Sequence, residues 1–166
     1  MGNINKTAIA QIRLVNDKVI GYITLQEKDN TNTIISGRLT GLSPGFHAIH
    51  IHEKGNHLQC CDKLGDHYNP FNKLHGGRTI KDIFGNEVIN LNRHVGDLGN
   101  IKIESDGTCE FEFEDSLVKL SGEYNVIGRS IVIHENKDDL GLTDNFSSKT
   151  TGNSGKRIAY GIIGYK

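Results

Sequence analysis

Short stretches in which apolar and polar residues alternate recur along the chain, separated by clusters of glycine, asparagine and aspartate. The clearest is Thr108–Glu114, in which Cys109, Phe111 and Phe113 alternate with three glutamates. Successive side chains of a β-strand point to opposite faces, so this pattern predicts a strand with one apolar face and one acidic face. The Ser105–Gly107 sequence just before it is typical of a tight hairpin turn.

The same reasoning predicts eight strands. They are Thr7–Val15, Lys18–Gln26, Thr31–Leu39, Phe46–Glu53, Asn100–Glu104, Thr108–Asp115, Ser130–His134 and Arg157–Gly164. The sequence shows no convincing apolar helix of about ten residues or more. Eight short strands with turn signals between them predict an all-β fold, an antiparallel sandwich or barrel. Two long polar connections, Lys54–His94 and Glu135–Lys156, are of a length usually found in functional or disordered loops.

Composition narrows the possible classes of protein. A length of 166 residues predicts one domain, residues 1–166, and 20 glycines against 2 prolines suit many turns between strands. The formal net charge is −1, from 19 basic and 20 acidic residues, which argues against nucleic-acid binding. The chain has no apolar run near the roughly 18 residues of a membrane-spanning helix, so no membrane partner is expected. The N-terminal sequence lacks the apolar stretch of a secretory signal, and we therefore expect a cytoplasmic protein.

The histidines suggest the chemistry, because most of the eight lie in or beside the two long connections. They are His47, His50, His52, His57, His67, His75, His94 and His134. His50 and His52 are two residues apart in a predicted strand, so their side chains leave the same face about 7 Å apart at the Cα atoms. Asp97 follows His94 by three residues. A carboxylate among imidazoles suits zinc, whereas an all-imidazole set suits copper. Six imidazoles and one carboxylate are more ligands than one tetrahedral ion needs. Two ions that share one ligand would account for this number.

Six segments of the chain, in order, resemble the copper/zinc superoxide dismutases. They are His50–Glu53, Gly65–Pro70, His75–Gly77, Arg93–Asn100, Ile127–Glu135 and Gly152–Arg157. Each motif alone is weak evidence, but their shared order over nearly the whole chain is specific. The resemblance implies an eight-stranded Greek-key sandwich or barrel of immunoglobulin-like architecture with two long functional loops.

The resemblance also implies roles for individual residues, by matched position. Copper would be held by His50, His52, His67 and His134. Zinc would be held by His67, His75, His94 and Asp97, with the His67 imidazolate bridging the two ions. Asp138 matches the aspartate that joins a copper histidine to a zinc histidine, Arg157 matches the arginine that attracts the anion, and Thr151 matches the threonine that narrows the channel. His47 matches a histidine with a structural hydrogen-bonding part, and His57 matches nothing.

The function implied is dismutation of superoxide to dioxygen and hydrogen peroxide, by alternate reduction and oxidation of the copper ion. The alternative is a zinc-only or copper-buffering protein that keeps the fold without turnover, and the complete set of copper histidines with Arg157 argues against it. A zinc hydrolase is a third possibility, but the His-Glu-x-x-His pattern is absent. The partners implied are superoxide as substrate, a second copy in a homodimer, and a copper donor protein.

The chain departs from the family pattern at the disulfide. Cys61 matches the loop cysteine of the family's disulfide, but Tyr160 stands at the partner position, so the usual bond cannot form. We expect packing of Tyr160, or the zinc ion, to hold the loop instead. The three cysteines also allow the hypothesis of a bond from Cys60 or Cys61 to Cys109.

Three further departures lie on the surface. The 18 residues between His75 and His94 are more than is typical, and the extra Lys81–Ile89 segment predicts a small hairpin over the zinc loop. Phe146, Ser147 and Thr150 stand where the family has charged residues, which predicts weaker long-range attraction of superoxide. Around the implied dimer contact, Gly55, Ile127, Gly128, Ile163 and Gly164 fit the family, but Lys54 replaces an apolar aromatic residue.

Overall fold

The computed structural model describes residues 6–28, 31–58 and 60–166 of the chain. The strands are β1 (Thr7–Leu14), β2 (Val19–Lys28), β3 (Asn32–Thr40), β4 (Gly45–His52), β5 (Thr79–Lys81), β6 (Glu87–Ile89), β7 (Asp97–Ile103), β8 (Thr108–Asp115), β9 (Ser130–His134) and β10 (Arg157–Tyr165). All eight predicted strands are present, and their ends lie within about three residues of the predicted ones. β5 and β6 are additional and short.

The eight long strands form one antiparallel sheet in the order β7-β4-β9-β10-β1-β2-β3-β8. β3 and β4 are distant in that order, as are β8 and β9, so both connections cross to another part of the sheet. The two edge strands, β7 and β8, adjoin in sequence through the turn at residues 104–107. This turn brings the edges together and nearly closes a barrel, which confirms the predicted all-β Greek-key fold.

The core fills the barrel, and one part of the sheet is covered on both faces. β1, β2 and β3 alternate between buried and more exposed residues, as the sequence pattern predicts. β9 is buried along its whole length, and so are the last six residues of β4. Ile49, Ile51, Ile131 and Ile133 of these strands belong to the main core. The alternate residues, which include His50, His52 and His134, face outward and are covered by the two long loops.

The long loops contain little regular structure. In its described residues, the first contains one 3-10 turn, Cys60–Lys63, and the hairpin of β5 and β6. That hairpin lies in the predicted extra segment, and its tip residues Ile83 and Phe84 are 93% and 82% exposed. The second loop contains helix α1 (Phe146–Thr151), capped by the Asn145 side chain, which accepts from Ser148 N at 2.8 Å. None of the helices within the described residues is long and apolar enough to cross a membrane.

The disulfide hypothesis for Cys109 is wrong. Cys109 is a buried free thiol in the main core, where it pairs with Leu39 across β8 and β3. Its side chain therefore fills the barrel and forms no bond to Cys60 or Cys61.

Candidate metal centre

The folded chain gathers six histidines and one aspartate at one side of the barrel. β4 contributes His50 and His52, the end of β9 contributes His134, and the start of β7 contributes Asp97. The first long loop contributes the remaining three, His67, His75 and His94. All seven residues are buried, and none is more than 6% exposed. Burial of so many ionisable groups in one place requires compensation by hydrogen bonds or a cation.

Three imidazoles converge on one oxygen of Asp97. The Nδ1 atoms of His67, His75 and His94 lie 2.8, 2.9 and 3.1 Å from Asp97 Oδ1. The second oxygen, Oδ2, accepts hydrogen bonds from the backbone N–H groups of Gly76 and His94, each at 3.0 Å. These backbone bonds orient the carboxylate so that Oδ1 faces the three rings. The result is a compact set of three nitrogens and one oxygen, the donor set that tetrahedral zinc prefers.

A second group of nitrogens lies on the other side of His67. The ligand atoms of His50, His52, His67 and His134 are all within 4.8 Å of one another. By the same distance criterion His50, His67, His75 and Asp97 form a second group, in which His50 takes the place predicted for His94. His94 nevertheless contacts Asp97 Oδ1, whereas His50 does not bond that carboxylate and contacts Asp138 instead.

Outward hydrogen bonds determine which nitrogen each ring presents to the centre. His52 Nδ1 donates to Gly65 O at 2.8 Å, and His134 Nδ1 lies 3.2 Å from Gly155 O. A carbonyl only accepts, so both Nδ1 atoms carry the hydrogen and both Nε2 atoms present lone pairs. These two Nε2 atoms lie 3.2 Å apart. Two lone pairs at this distance repel one another unless a cation lies between them.

Asp138 and a backbone carbonyl orient three more rings. His50 Nε2 and His75 Nε2 donate to the two oxygens of Asp138, at 2.8 and 2.7 Å. His94 Nε2 donates to Lys73 O at 2.9 Å. In each of these rings Nδ1 therefore faces the centre, and the buried Nδ1 of His50 has no hydrogen-bond partner. Such outer bonds fix ring orientation and raise ligand basicity at metal sites.

His67 differs from the other five rings. Its Nδ1 faces Asp97, and its buried Nε2, which has no hydrogen-bond partner, belongs to the four-histidine group. No hydrogen bond of this ring is directed away from the centre among the described contacts. Both nitrogens of His67 are therefore available to the two groups, as a bridging ligand requires.

The pKa values of the imidazoles in the four-histidine group are lowered. Burial lowers the pKa of His50 and His52 well below the ordinary value, and the neighbouring His67 and His134 add to that effect. Burial likewise lowers the pKa of His134 to about 4, and that of His67 in the same direction. These rings are neutral near pH 7, the form in which imidazole binds a metal.

The pKa of His75 shifts the other way. Burial alone lowers it, but the carboxylates of Asp138 and Asp97 outweigh burial and raise this pKa to about 9. Burial raises the pKa of Asp97, but hydrogen bonds from His67, His75 and His94 outweigh burial and hold this pKa well below the ordinary range. Asp97 is thus a permanent negative charge in a buried site. Without metal, a proton on His75 supplies the positive charge that Asp97 faces.

The sequence analysis did not single out the residues that hold Asp138. Asn100 Oδ1 accepts from Asp138 N at 2.7 Å, and Asn100 Nδ2 donates to Asp138 O at 2.9 Å. At Gly152, φ is +67° and an added Cβ would lie 1.9 Å from Asp138 Oδ1. Asn100 and Gly152 both belong to motifs given in the sequence analysis, Arg93–Asn100 and Gly152–Arg157. The sequence analysis assigned neither residue a role in orienting Asp138.

The centre opens into a cleft of about 1040 Å³. Arg157 and Thr151 line it together with His52, His67, His94 and His134. Arg157 is half-buried and donates to Cys61 O and Gly65 O, at 2.7 and 2.6 Å. Thr151, the last residue of α1, is exposed and also lines the cleft. The sequence-predicted anion-attracting and channel residues therefore share the cleft with the metal-ligating rings.

Two histidines lie outside the centre. His47 Nδ1 donates to His134 O at 2.7 Å, and His47 Nε2 lies 2.9 Å from Ser43 O, so the predicted structural role is confirmed. His57 is exposed in the first loop.

This combination defines a class: a Greek-key β-barrel metalloprotein with an all-imidazole group and an imidazole–carboxylate group joined by one histidine. Residues 19–163 match the family model for copper/zinc superoxide dismutase (SODC). The chain belongs to the copper/zinc superoxide dismutase family of oxidoreductases, whose cofactors are copper and zinc.

Individual relatives cover almost the whole chain. A Cu-Zn superoxide dismutase of Onchocerca volvulus is 42% identical over 164 residues, 96% of each chain. A Cu-Zn superoxide dismutase of Arabidopsis thaliana is 39% identical over 160 residues, 96% of this chain and 91% of the relative. An extracellular Cu-Zn superoxide dismutase of Drosophila melanogaster is 42% identical over 95% of this chain and 82% of the relative. Among solved structures, the clock protein EA4 superposes with a TM-score of 0.83 at 35% identity, covering 100% of this chain and 98% of that one.

Proposed function

We propose that this chain dismutates superoxide at a paired copper and zinc centre bridged by His67. The observation that carries the proposal is the position of His67 between the two groups of ligand atoms, with its Nε2 orphaned and its Nδ1 facing Asp97. One ring that presents both nitrogens to two groups of donors is suited to two ions rather than one.

Copper would be held by His50, His52, His67 and His134. The four nitrogens suit an ion that changes between two oxidation states, because neutral imidazole ligates both. Bound copper supplies the ability to take up and return one electron. The protein keeps the ligand nitrogens bare through the outward hydrogen bonds of His50, His52 and His134.

Zinc would be held by His67, His75, His94 and Asp97. His94 completes this set better than His50, because His94 Nδ1 points at the oxygen shared by His67 and His75. A closed set of four protein ligands is the arrangement of a structural zinc site, which fixes geometry without redox change. Asp138 couples the two sites, because it orients one ring of each.

Arg157 would attract the substrate anion, and His67 would supply a proton to the product. The guanidinium of Arg157 adds local positive charge to a cleft on a chain of net charge −1, so it attracts a small anion. Thr151, which lines the same cleft, would limit access to it. His67 Nε2, at the border of the four-histidine group, can hold a proton and deliver it to the peroxide that forms there.

A homodimer is part of the proposal. Gly55 packs directly on Gly128, where an added Cβ would lie 2.1 Å from Gly128 O, and Ile162 lies beside them. The second copy would pack against these residues and β10, near the exposed Lys54. Sedimentation velocity of the metal-loaded protein tests this assembly. A cytoplasmic location and a copper donor protein stay predictions, and the relative from Drosophila melanogaster is named extracellular.

The function is tested by loading the purified protein with both ions, then measuring metal content and superoxide consumption together. We expect one copper and one zinc per chain with fast dismutation. His134→Ala should remove copper and activity but leave zinc bound, and Asp97→Ala should weaken zinc first. His57→Ala, which alters an exposed loop histidine, is the control and should behave like the unmodified protein. Full loading without dismutation would instead establish a copper-buffering protein.

A further inference from the structure

Arg157 and the loop segment Cys61–Gly65 hold one another in place. The guanidinium donates two hydrogen bonds, from Nη1 to Cys61 O at 2.7 Å and from Nη2 to Gly65 O at 2.6 Å. In return, the Cys61 thiol lies 3.8 Å from the backbone carbonyl of Arg157. The position of the guanidinium in the cleft therefore depends on the position of this segment.

The same segment also orients a ring of the metal centre. Gly65 O accepts both from Arg157 Nη2 and from His52 Nδ1, at 2.6 and 2.8 Å. Gly65 has φ of +76°, and an added Cβ would lie 2.5 Å from the Glu53 side chain, so this backbone conformation needs glycine. One carbonyl thus couples the anion-attracting arginine to a copper-side histidine.

A small apolar cluster, which we call the loop anchor, attaches the segment to the barrel. Its buried members are Cys61, Leu64, Val132 and Tyr160. Leu64 is fully buried and Tyr160 is 3% exposed, and half-buried Ile162 packs against them. The loop anchor is separate from the main core, so the apolar packing of Tyr160 within it attaches this segment to the barrel rather than filling the barrel interior.

The register of β10 places Tyr160 and Arg157 on the same side. In a regular strand, residues three apart point to opposite faces. The pairing of β10 with β9 shifts by one residue between Arg157 and Ala159, because Arg157 pairs with His134 and Ala159 with Ile133. This bulge turns Arg157 back to the face on which Tyr160 packs.

We propose that Tyr160 is a positioning residue for anion binding, acting through the loop anchor. Its ring fixes the Cys61–Gly65 segment, and the carbonyls of that segment fix Arg157 and His52. Because residue 160 is a tyrosine, no disulfide can join this strand position to the loop, and a buried aromatic side chain supplies the attachment. The inference rests on the proposed function, since it assigns Arg157 to anion attraction.

The test is azide binding to the copper- and zinc-loaded protein, followed by visible absorption, with metal content measured in parallel. Azide is a small monoanion and reports on the site without turnover. Tyr160→Leu should weaken azide binding about tenfold with both metals retained, because the guanidinium loses its fixed position. Tyr160→Phe keeps the aromatic ring and should bind azide with an affinity close to that of the unmodified protein. Leu25→Ala, a main-core truncation on β2, is the control for lost stability and should leave azide affinity unchanged.

Arg157→Ala separates this inference from the proposed function. If Arg157→Ala weakens azide binding and Tyr160→Leu does not, the role of Tyr160 is wrong and that of Arg157 stands. If neither variant changes azide affinity, the anion-attracting role of Arg157 is wrong as well. Equal weakening in Tyr160→Leu and Leu25→Ala would show that Tyr160 contributes only general stability. Amide hydrogen exchange of residues 61–66 should accelerate in Tyr160→Leu alone.

Discussion

The Nδ1 atom of His67 lies 2.8 Å from Oδ1 of Asp97, although thirty residues separate them in the chain. His67 lies in the first long loop, whereas Asp97 begins β7. Their contact holds the ring of His67 between the two groups of donors, so its other nitrogen, Nε2, belongs to the four-histidine group. The position of His67 between the two groups is therefore determined by the contact of the first long loop with the start of β7.

Replacement of Asp138 by asparagine should weaken both metal sites. An amide in this position cannot accept from both His50 and His75, so at least one ring loses its orientation and part of its basicity. We expect zinc affinity to fall by roughly 10–100-fold, measured by competition with a chelator. Asp139→Asn is the matched control, because Asp139 binds Thr143, Ser148 and Asn153 and no ring. Equal losses in both variants would contradict the role of Asp138.

The metal-free protein should be most stable near neutral pH. His134 has a folded pKa of about 4 against an ordinary 6.5, so the unfolded chain binds the extra proton between these values and stability falls as pH drops from 6.5 toward 4. His50, His52 and His67 act in the same direction. His75 acts oppositely: with its pKa raised to about 9, its contribution is present below pH 6.5 and is lost as pH rises toward 9.

Urea unfolding of the metal-free protein at pH values near 4, 6.5 and 9 measures this dependence. The urea concentration at the midpoint of unfolding should be highest near pH 6.5. His134→Gln should reduce the loss on the acid side and leave the alkaline side unchanged. A midpoint that rises continuously with pH would show that His75 does not hold a proton in the folded protein.

Dismutation should depend only weakly on ionic strength. α1 presents Phe146, Ser147 and Thr150 to the cleft; Lys149 also lines it, but the Lys149 ammonium donates to Gly141 O at 2.7 Å. Arg157 then provides most of the attraction at short range, where salt screens least. Rates measured across a range of salt concentrations should fall slightly, and Phe146→Lys should raise the rate at low salt and steepen the decline. A steep fall in the unmodified protein would contradict this view.

Removal of the buried Arg93 side chain should destabilise the fold strongly. Arg93 is 1% exposed, its Nη2 donates to Asp115 Oδ2 at 2.6 Å, and its Nη1 donates to the carbonyls of His94 and Asp97. Arg93→Ala leaves the Asp115 carboxylate buried without its partner, which costs about 3–5 kcal/mol of the free energy of unfolding.

The control for Arg93 is Arg38→Ala, which removes an ion pair of similar length, 2.8 Å against 2.6 Å, that is exposed. Arg38 and Glu110 lie 2.8 Å apart with side chains 77% and 72% exposed, so water and salt screen them. Chemical denaturation should show little change for this variant. A similar effect of both substitutions would mean that burial does not determine the strength of the Arg93 pair.

The sequence predicted the eight long strands because their alternation of apolar and polar residues survives in the folded protein, as in β1 to β3. It predicted the hairpin at Lys81–Ile89 from a local excess of apolar residues, although those side chains prove largely exposed. It did not predict that β7 begins at Asp97 rather than Asn100, since residues 97–99 lack alternation and are all buried. The proposed Cys109 disulfide was wrong because it rested on the number of cysteines, and that number does not show which thiols lie close together in the fold.

From the sequence alone follow the strands, the residue types that can bind metal, and the order of motifs that marks the family. These properties are local, because side-chain periodicity and ligand chemistry are read over a few neighbouring residues. The tertiary structure decided which nitrogen each histidine presents, how Asp138 joins two rings, and how Gly65 O is shared by Arg157 and His52. Those relationships join residues up to 92 positions apart, and only the packing of the two loops on the barrel determines them.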